Sequence, residues 1–153
     1  EFAGATAAYN ALSEDTKVRI EGLRAVHDYP WFDDKLCARE SGRKPLSESK
    51  RKSLPPVSHP IARTHPVTGR KSIYVCPDLI RSVESLPETQ GQELCAQLGE
   101  HTTKRRFTYS HRWREGDLVV WDNRCLMHRA RAFDDQHYVR IMHRTTVKGD
   151  QPF

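Results

Sequence analysis

The chain has 153 residues, a net charge of +5 and 37 % hydrophobic residues, which is the length of one domain and enough apolar content for a core. It has no apolar run long enough to span a bilayer and no signal-peptide pattern, and its four cysteines (Cys37, Cys76, Cys95, Cys125) lack CxxC spacing; a cytoplasmic protein with free thiols and no membrane partner is expected. Zinc spacing and interleaved basic and aromatic residues are missing too, so no nucleic-acid partner is expected, and the basic excess reads as a solvated surface that can attract anionic substrates.

In chain order, Ala5 to Leu12 reads as a helix with a small apolar face of Ala7, Ala8, Ala11 and Leu12. Ser13 is a good N-cap for a second helix carrying Val18, Ile20 and Leu23, with Gly22 near its end. Arg24 to Tyr29 alternates as a short strand, and His27 on it reads as a hydrogen-bonded structural histidine rather than a ligand. From Pro30 to Ser58 charge, Ser and Pro dominate. This stretch predicts a mobile excursion with a short helix after Ser47, ending at Pro55-Pro56. Trp31 and Phe32 at its base could contact an organic substrate or peg the loop to the core.

Ile61 to Thr64, the turn Pro66-Val67-Thr68-Gly69 and Lys71 to Cys76 predict a hairpin, with His65 held extended by the proline after it and read as structural. Pro87 suits the first turn of a helix over Glu88 to Glu100, with Leu94, Cys95 and Leu98 inward. Arg106 to Trp113 alternates as a half-buried strand, paired across Arg114-Glu115-Gly116-Asp117 with a strand over Leu118 to Trp121. After the break at Asp122-Asn123 comes His128, and after the turn Asp134-Asp135-Gln136 a last strand, Tyr138 to Val147. Alternation there places Arg140, Met142 and Arg144 on one face. Two guanidiniums about 13 Å apart on one face, if that face is interior, need anions to meet them. Short strands, turn signals and a few helices predict a mostly β protein with helices, of jelly-roll type.

The segments WDNRCLMHRARAFDD and RIMHRTTVKGDQPF resemble the C-terminal half of the TauD/TfdA family of Fe(II)- and 2-oxoglutarate-dependent dioxygenases. The resemblance extends through EFAGATAAYNALSEDTKVRIEGLRAVHDY, PPVSHPIARTHPVTGRKSIYV and YSHRWREGD, leaving only about 30–54 without a match. It implies a double-stranded β-helix (jelly-roll, cupin-like) incomplete at its N-terminus. Residues 1–153 would then be the C-terminal part of one dioxygenase domain, with a lid-like insertion at about 30–58 that helps select the substrate.

By the same resemblance His128 is the distal histidine of a two-histidine, one-carboxylate Fe(II) site, a set that leaves positions open for cosubstrate and O2. Arg140 matches the arginine that holds the distal carboxylate of 2-oxoglutarate, a task suited to its rigid fork. It follows His128 by twelve residues, one more than in the family's type members; the turn at Asp134 to His137 can absorb the extra residue. Arg144 matches the arginine that meets the organic anion, although it could also serve the cosubstrate's other end or an internal carboxylate. The family's His-x-Asp/Glu pair is missing here, since none of the eight histidines has an acid two positions later. A fragment or truncated relative is therefore expected.

Two functions follow as expectations. One is an oxygenase that hydroxylates a small anionic substrate (a sulfonate, or an aryloxy or other carboxylic acid) with release of succinate and CO2. The other is a non-catalytic module that binds anions or a protein. Oligomeric state stays open, a homo-oligomer included.

Overall fold

A computed structural model of the chain describes residues 1–149 and Pro152. The chain opens with β1 (Phe2–Gly4), which runs straight into α1 (Ala5–Asn10). Next comes α2 (Glu14–Ile20), started by Ser13, whose Oγ accepts from the Thr16 amide at 3.3 Å. Its acids, Glu14 and Asp15, lie in the first turn and its bases, Lys17 and Arg19, in the last, as the helix dipole favours. β2 (Arg24–His27) follows.

The stretch expected as a mobile excursion is instead mostly helical. Asp28 caps α3 (Tyr29–Arg39) by accepting from the Trp31 amide at 3.0 Å, and Pro30 fits the first turn, where no intrahelical donor is needed. The polar residues here bond to one another. Asp33, 2 % exposed, takes the Arg43 guanidinium at 2.9 Å and the Leu46 amide at 3.1 Å. The expected short helix is present as α4 (Glu48–Lys52), with Ser47 as its N-cap.

β3 (Val57–Pro60) and β6 (Ile80–Val83) flank β2 in an antiparallel sheet of order β3-β2-β6. β4 (Ala62–Thr64) and β5 (Lys71–Ile73) form the expected hairpin, with Arg63 opposite Ser72. Its turn uses Gly69 at φ 66°, a backbone conformation that favours glycine. The long α5 (Glu88–Thr102) buries Leu94, Cys95 and Leu98 as expected. Two buried glycines bring α5 close to its neighbours: Gly91 faces Val83, and Gly99 faces Pro77 in the 3-10 turn Pro77–Leu79. A single core of Ala8, Ile20, Ala25, Ile61, Ile73, Val75, Ile80, Val83, Leu94, Cys95 and Leu98 joins these elements.

A third sheet, of order β7-β1-β8, contains β7 (Thr108–Tyr109) and β8 (Leu126–His128). Here the structure departs from expectation. The strand expected over Arg106 to Trp113 shrinks to β7, and neither Leu118 to Trp121 nor Tyr138 to Val147 forms a strand. Strand propensity alone does not make a strand, because the backbone ladder needs a neighbour to pair with. Among the described residues nothing pairs with these segments, and Leu118, Val120, Val139 and Ile141 are 78–89 % exposed. Among the described residues, no helix is long and apolar enough to cross a membrane.

Candidate functional site

His128 ends β8, where it lies opposite Phe2 of β1. Its ring sits 5.0 Å from that of Trp121 and 6.5 Å from that of Phe2, and those two rings are 5.4 Å apart. The side chain is exposed at the sheet's edge. Desolvation by its neighbours, then the positive charges of Arg144 and the N-terminal ammonium, push its pKa below the usual histidine value. A neutral imidazole is the form that ligates a metal ion.

The segment before β8 is organised by Asp122. Its carboxylate receives the Arg124 guanidinium (Nη2 to Oδ2 2.7 Å, Nε to Oδ1 2.9 Å) and the Arg124 amide at 2.8 Å. The Asp122 carbonyl accepts from the amides of Cys125 and Leu126 at 3.2 and 3.0 Å, closing the turn into β8. This turn is tied to the hairpin by Ser72 Oγ, which donates to the Arg124 carbonyl at 3.1 Å. It is tied to α1 by the Ala5 amide, which donates to the Cys125 carbonyl at 3.0 Å. His65 completes the attachment. Its Nδ1 accepts from the amides of Val67 and Thr68 (3.3 and 3.2 Å), so Nε2 carries the proton and donates to Asp122 Oδ2 at 3.1 Å. Arg124 first, and then His65, holds the Asp122 carboxyl well below the usual carboxylate range.

His65, Asp122 and Cys125 present ligand-type atoms within 4.8 Å of one another. The set fits a cation poorly. Asp122 already meets a guanidinium, His65 has its proton on the nitrogen facing Asp122, and burial pushes the Cys125 thiol up. It is a hydrogen-bonded brace for the turn that leads to His128. His65 is thus structural, as expected.

The residues singled out from the sequence do not converge on one pocket. Arg140 and Arg144 are both exposed and, without a strand over 138–147, do not share the expected strand face. The Arg140 guanidinium lies 4.2 Å from the Phe133 ring centre, and its Nη1 donates to the Arg131 carbonyl at 3.4 Å. Trp31, with Lys35 Nζ 4.0 Å above its ring, lines a separate cavity of about 290 Å³ with Arg81, Ser82, Leu86 and Glu88. Phe32 packs against Tyr29, with ring centres 6.1 Å apart. Arg129 and Arg131 hold Glu1 between them at 2.7 and 2.6 Å and lower its carboxyl to about 2.

Among the described residues, no group of three metal ligands includes His128. Sequence reasoning missed Asp122 and Ser72, whose partners lie 57 and 52 residues away. It passed over Arg63 as well. The only available hint was that His65 and Asp122 both stand beside turns.

Comparison with known proteins agrees with the resemblance. The profile of the family described as "Taurine catabolism dioxygenase TauD, TfdA family" matches residues 1–146. The alpha-ketoglutarate-dependent 2,4-dichlorophenoxyacetate dioxygenase of Cupriavidus pinatubonensis is 42 % identical over 147 residues, 96 % of this chain and 49 % of that protein. The (S)-phenoxypropionate/alpha-ketoglutarate-dioxygenase of Sphingobium herbicidovorans is 34 % identical over 97 % of this chain and 52 % of its own length. The chain thus spans about half the length of these relatives. Among solved structures, AAD-2 in complex with Mn(II) and N-oxalylglycine superimposes with a TM-score of 0.77 at 36 % identity, over 89 % of this chain and 51 % of that one.

Proposed function

Because the chain belongs to the TauD, TfdA family, we propose that the protein carrying it is an Fe(II)- and 2-oxoglutarate-dependent dioxygenase. In this reading it hydroxylates a small anionic organic substrate and releases succinate and CO2. One observation supports this above the others: within a chain of this family, His128 leaves the braced Asp122 turn on β8, followed at twelve and sixteen residues by Arg140 and Arg144. His128 is the proposed Fe(II) ligand contributed by this chain, and bound iron would supply the activation of O2. Arg140 is the proposed clamp on the distal carboxylate of 2-oxoglutarate. Arg144 is the proposed contact to the anionic group of the organic substrate. The chain is proposed to form part of a double-stranded β-helix, and residues 30–58 to cover the site as a lid, with Trp31 and Phe32 facing the substrate.

The substrate class is proposed as aryloxyalkanoates or sulfonates. Two relatives are named for aryloxy acids.

The test uses the whole protein and measures Fe(II)-dependent succinate formation. His128→Ala is expected to abolish it in a folded variant. Arg140→Ala is expected to raise the 2-oxoglutarate requirement by roughly 30-fold or more, corresponding to about 2–5 kcal/mol for a truncated charge pair. Arg144→Ala is expected to leave that requirement near normal while weakening the organic anion. Normal turnover by folded His128→Ala would remove the residue from the site.

A further inference from the structure

The described residues pair their buried carboxylates with cations: Asp33 with Arg43 and Asp28 with Arg81, at 2.9 and 3.2 Å. One buried cation has no such counterpart. Arg63, 4 % exposed on β4, makes no ion pair among the described residues, and its Nε is buried without a hydrogen-bond partner. Among the described residues, the other buried side-chain nitrogen left without a partner is His59 Nδ1. Both belong to one cluster. The Arg63 guanidinium lies 4.7 Å from the Tyr74 ring centre, His59 lies 5.6 Å from Tyr74, and His27 lies 5.1 Å from His59.

The charges that act on His59 are positive. Arg24, on β2 beside the strand that carries His59, spends its donors on the hydroxyl and carbonyl of Ser58, neither of which is charged. After desolvation, the charges of His27, Arg63 and Arg24 keep the His59 imidazole below its usual value. Tyr74 offers Arg63 a π face, a weaker counterpart than an anion. A buried charge is retained at low cost only when an opposite charge meets it.

We propose that Arg63, backed by His59 and Tyr74, is a receptor for a carboxylate, separate from Arg140 and Arg144. The planar guanidinium matches a carboxylate with two parallel bonds, and the neutral His59 ring can donate a third. The carboxylate belongs either to a small dissolved organic acid or to an acidic side chain from protein outside the described residues. Both sources share one chemistry and separate by experiment.

The test compares thermal unfolding of the protein carrying this chain with its Arg63→Met and Arg63→Lys variants, in chloride and in malonate at equal ionic strength. Methionine keeps the apolar stem without charge, whereas lysine keeps the charge without the fork. If a carboxylate meets this position, the lysine variant is more stable than the methionine variant, because the buried charge is wanted. If the carboxylate is a protein side chain, that order is present in chloride alone and malonate changes nothing. If it is dissolved, the order appears only in malonate, which then raises the wild-type midpoint by about 3 °C or more and leaves Arg63→Met unmoved. A methionine variant as stable as the lysine variant, or more so, in both solutions would overturn the proposal.

Discussion

At the scale of single residues, the informative positions are those where polar groups are withdrawn from water. Asp122 is held ionised by Arg124 and His65 and in turn shapes the turn into β8, so its contribution reaches His128 through the backbone. His27 and His59 give a pH dependence whose sign can be worked out. Burial is the first cause in both and lowers the folded-state pKa below the ordinary 6.5. As pH falls through 6.5, the unfolded chain therefore takes up protons before the folded one, and stability declines; above 6.5 that contribution is fully present. The urea midpoint is expected to fall between pH 7.5 and pH 5.5, a window above the ordinary values of the carboxylates, 3.8 for aspartate and 4.5 for glutamate. The double variant His27→Gln, His59→Gln is expected to flatten that decline. An undiminished slope in the double variant would move its cause to other groups.

At the scale of elements, most of what depends on neighbours in sequence is legible, α3 excepted, and what depends on distant pairing is not. Ser13 and Ser47 announce α2 and α4 because a cap is a contact between residues three apart. The turn around Gly69 announces the β4–β5 hairpin, and the spacing of Leu94, Cys95 and Leu98 announces α5. α3 was misread because its high charge resembles a loop, although Asp28 and Pro30 are ordinary start signals. The close approach of α5 to the 3-10 turn was invisible for another reason. It appears only as a glycine at position 99, and a helix-interior glycine ordinarily costs about 1 kcal/mol against alanine. Here a Cβ at Gly99 would stand 2.5 Å from Pro77 Cγ. The clash outweighs the gain in helix propensity, so Gly99→Ala is expected to destabilise by roughly 1–3 kcal/mol. Chemical denaturation measures it, and a variant more stable than wild type would show that the 3-10 turn yields without cost.

At the scale of the whole molecule, the difference between strand-forming sequence and strand formed governs behaviour. Leu118, Val120, Val139 and Ile141 carry the alternation and β-branched character of strands, yet they are 78–89 % exposed. The β7-β1-β8 sheet places β8, and with it His128, at an edge with no further neighbour among the described residues. An open edge beside exposed strand-competent segments is a template for pairing with another chain. The charges nearby oppose this only in part, since Arg129 and Arg131 are tied to Glu1 and Asp122 is tied to Arg124. A polypeptide of these 153 residues is therefore expected to associate with rising concentration, which sedimentation velocity reads directly. Because the driving surface is apolar, added salt should not dissociate the assemblies, whereas screening would weaken a purely ionic contact. The double variant Val139→Lys, Ile141→Lys places like charges along the exposed segment and is expected to shift the distribution toward monomer without altering the helical signal. If wild type stays monomeric across the concentration series, these segments are shielded by contacts that the present arrangement does not contain.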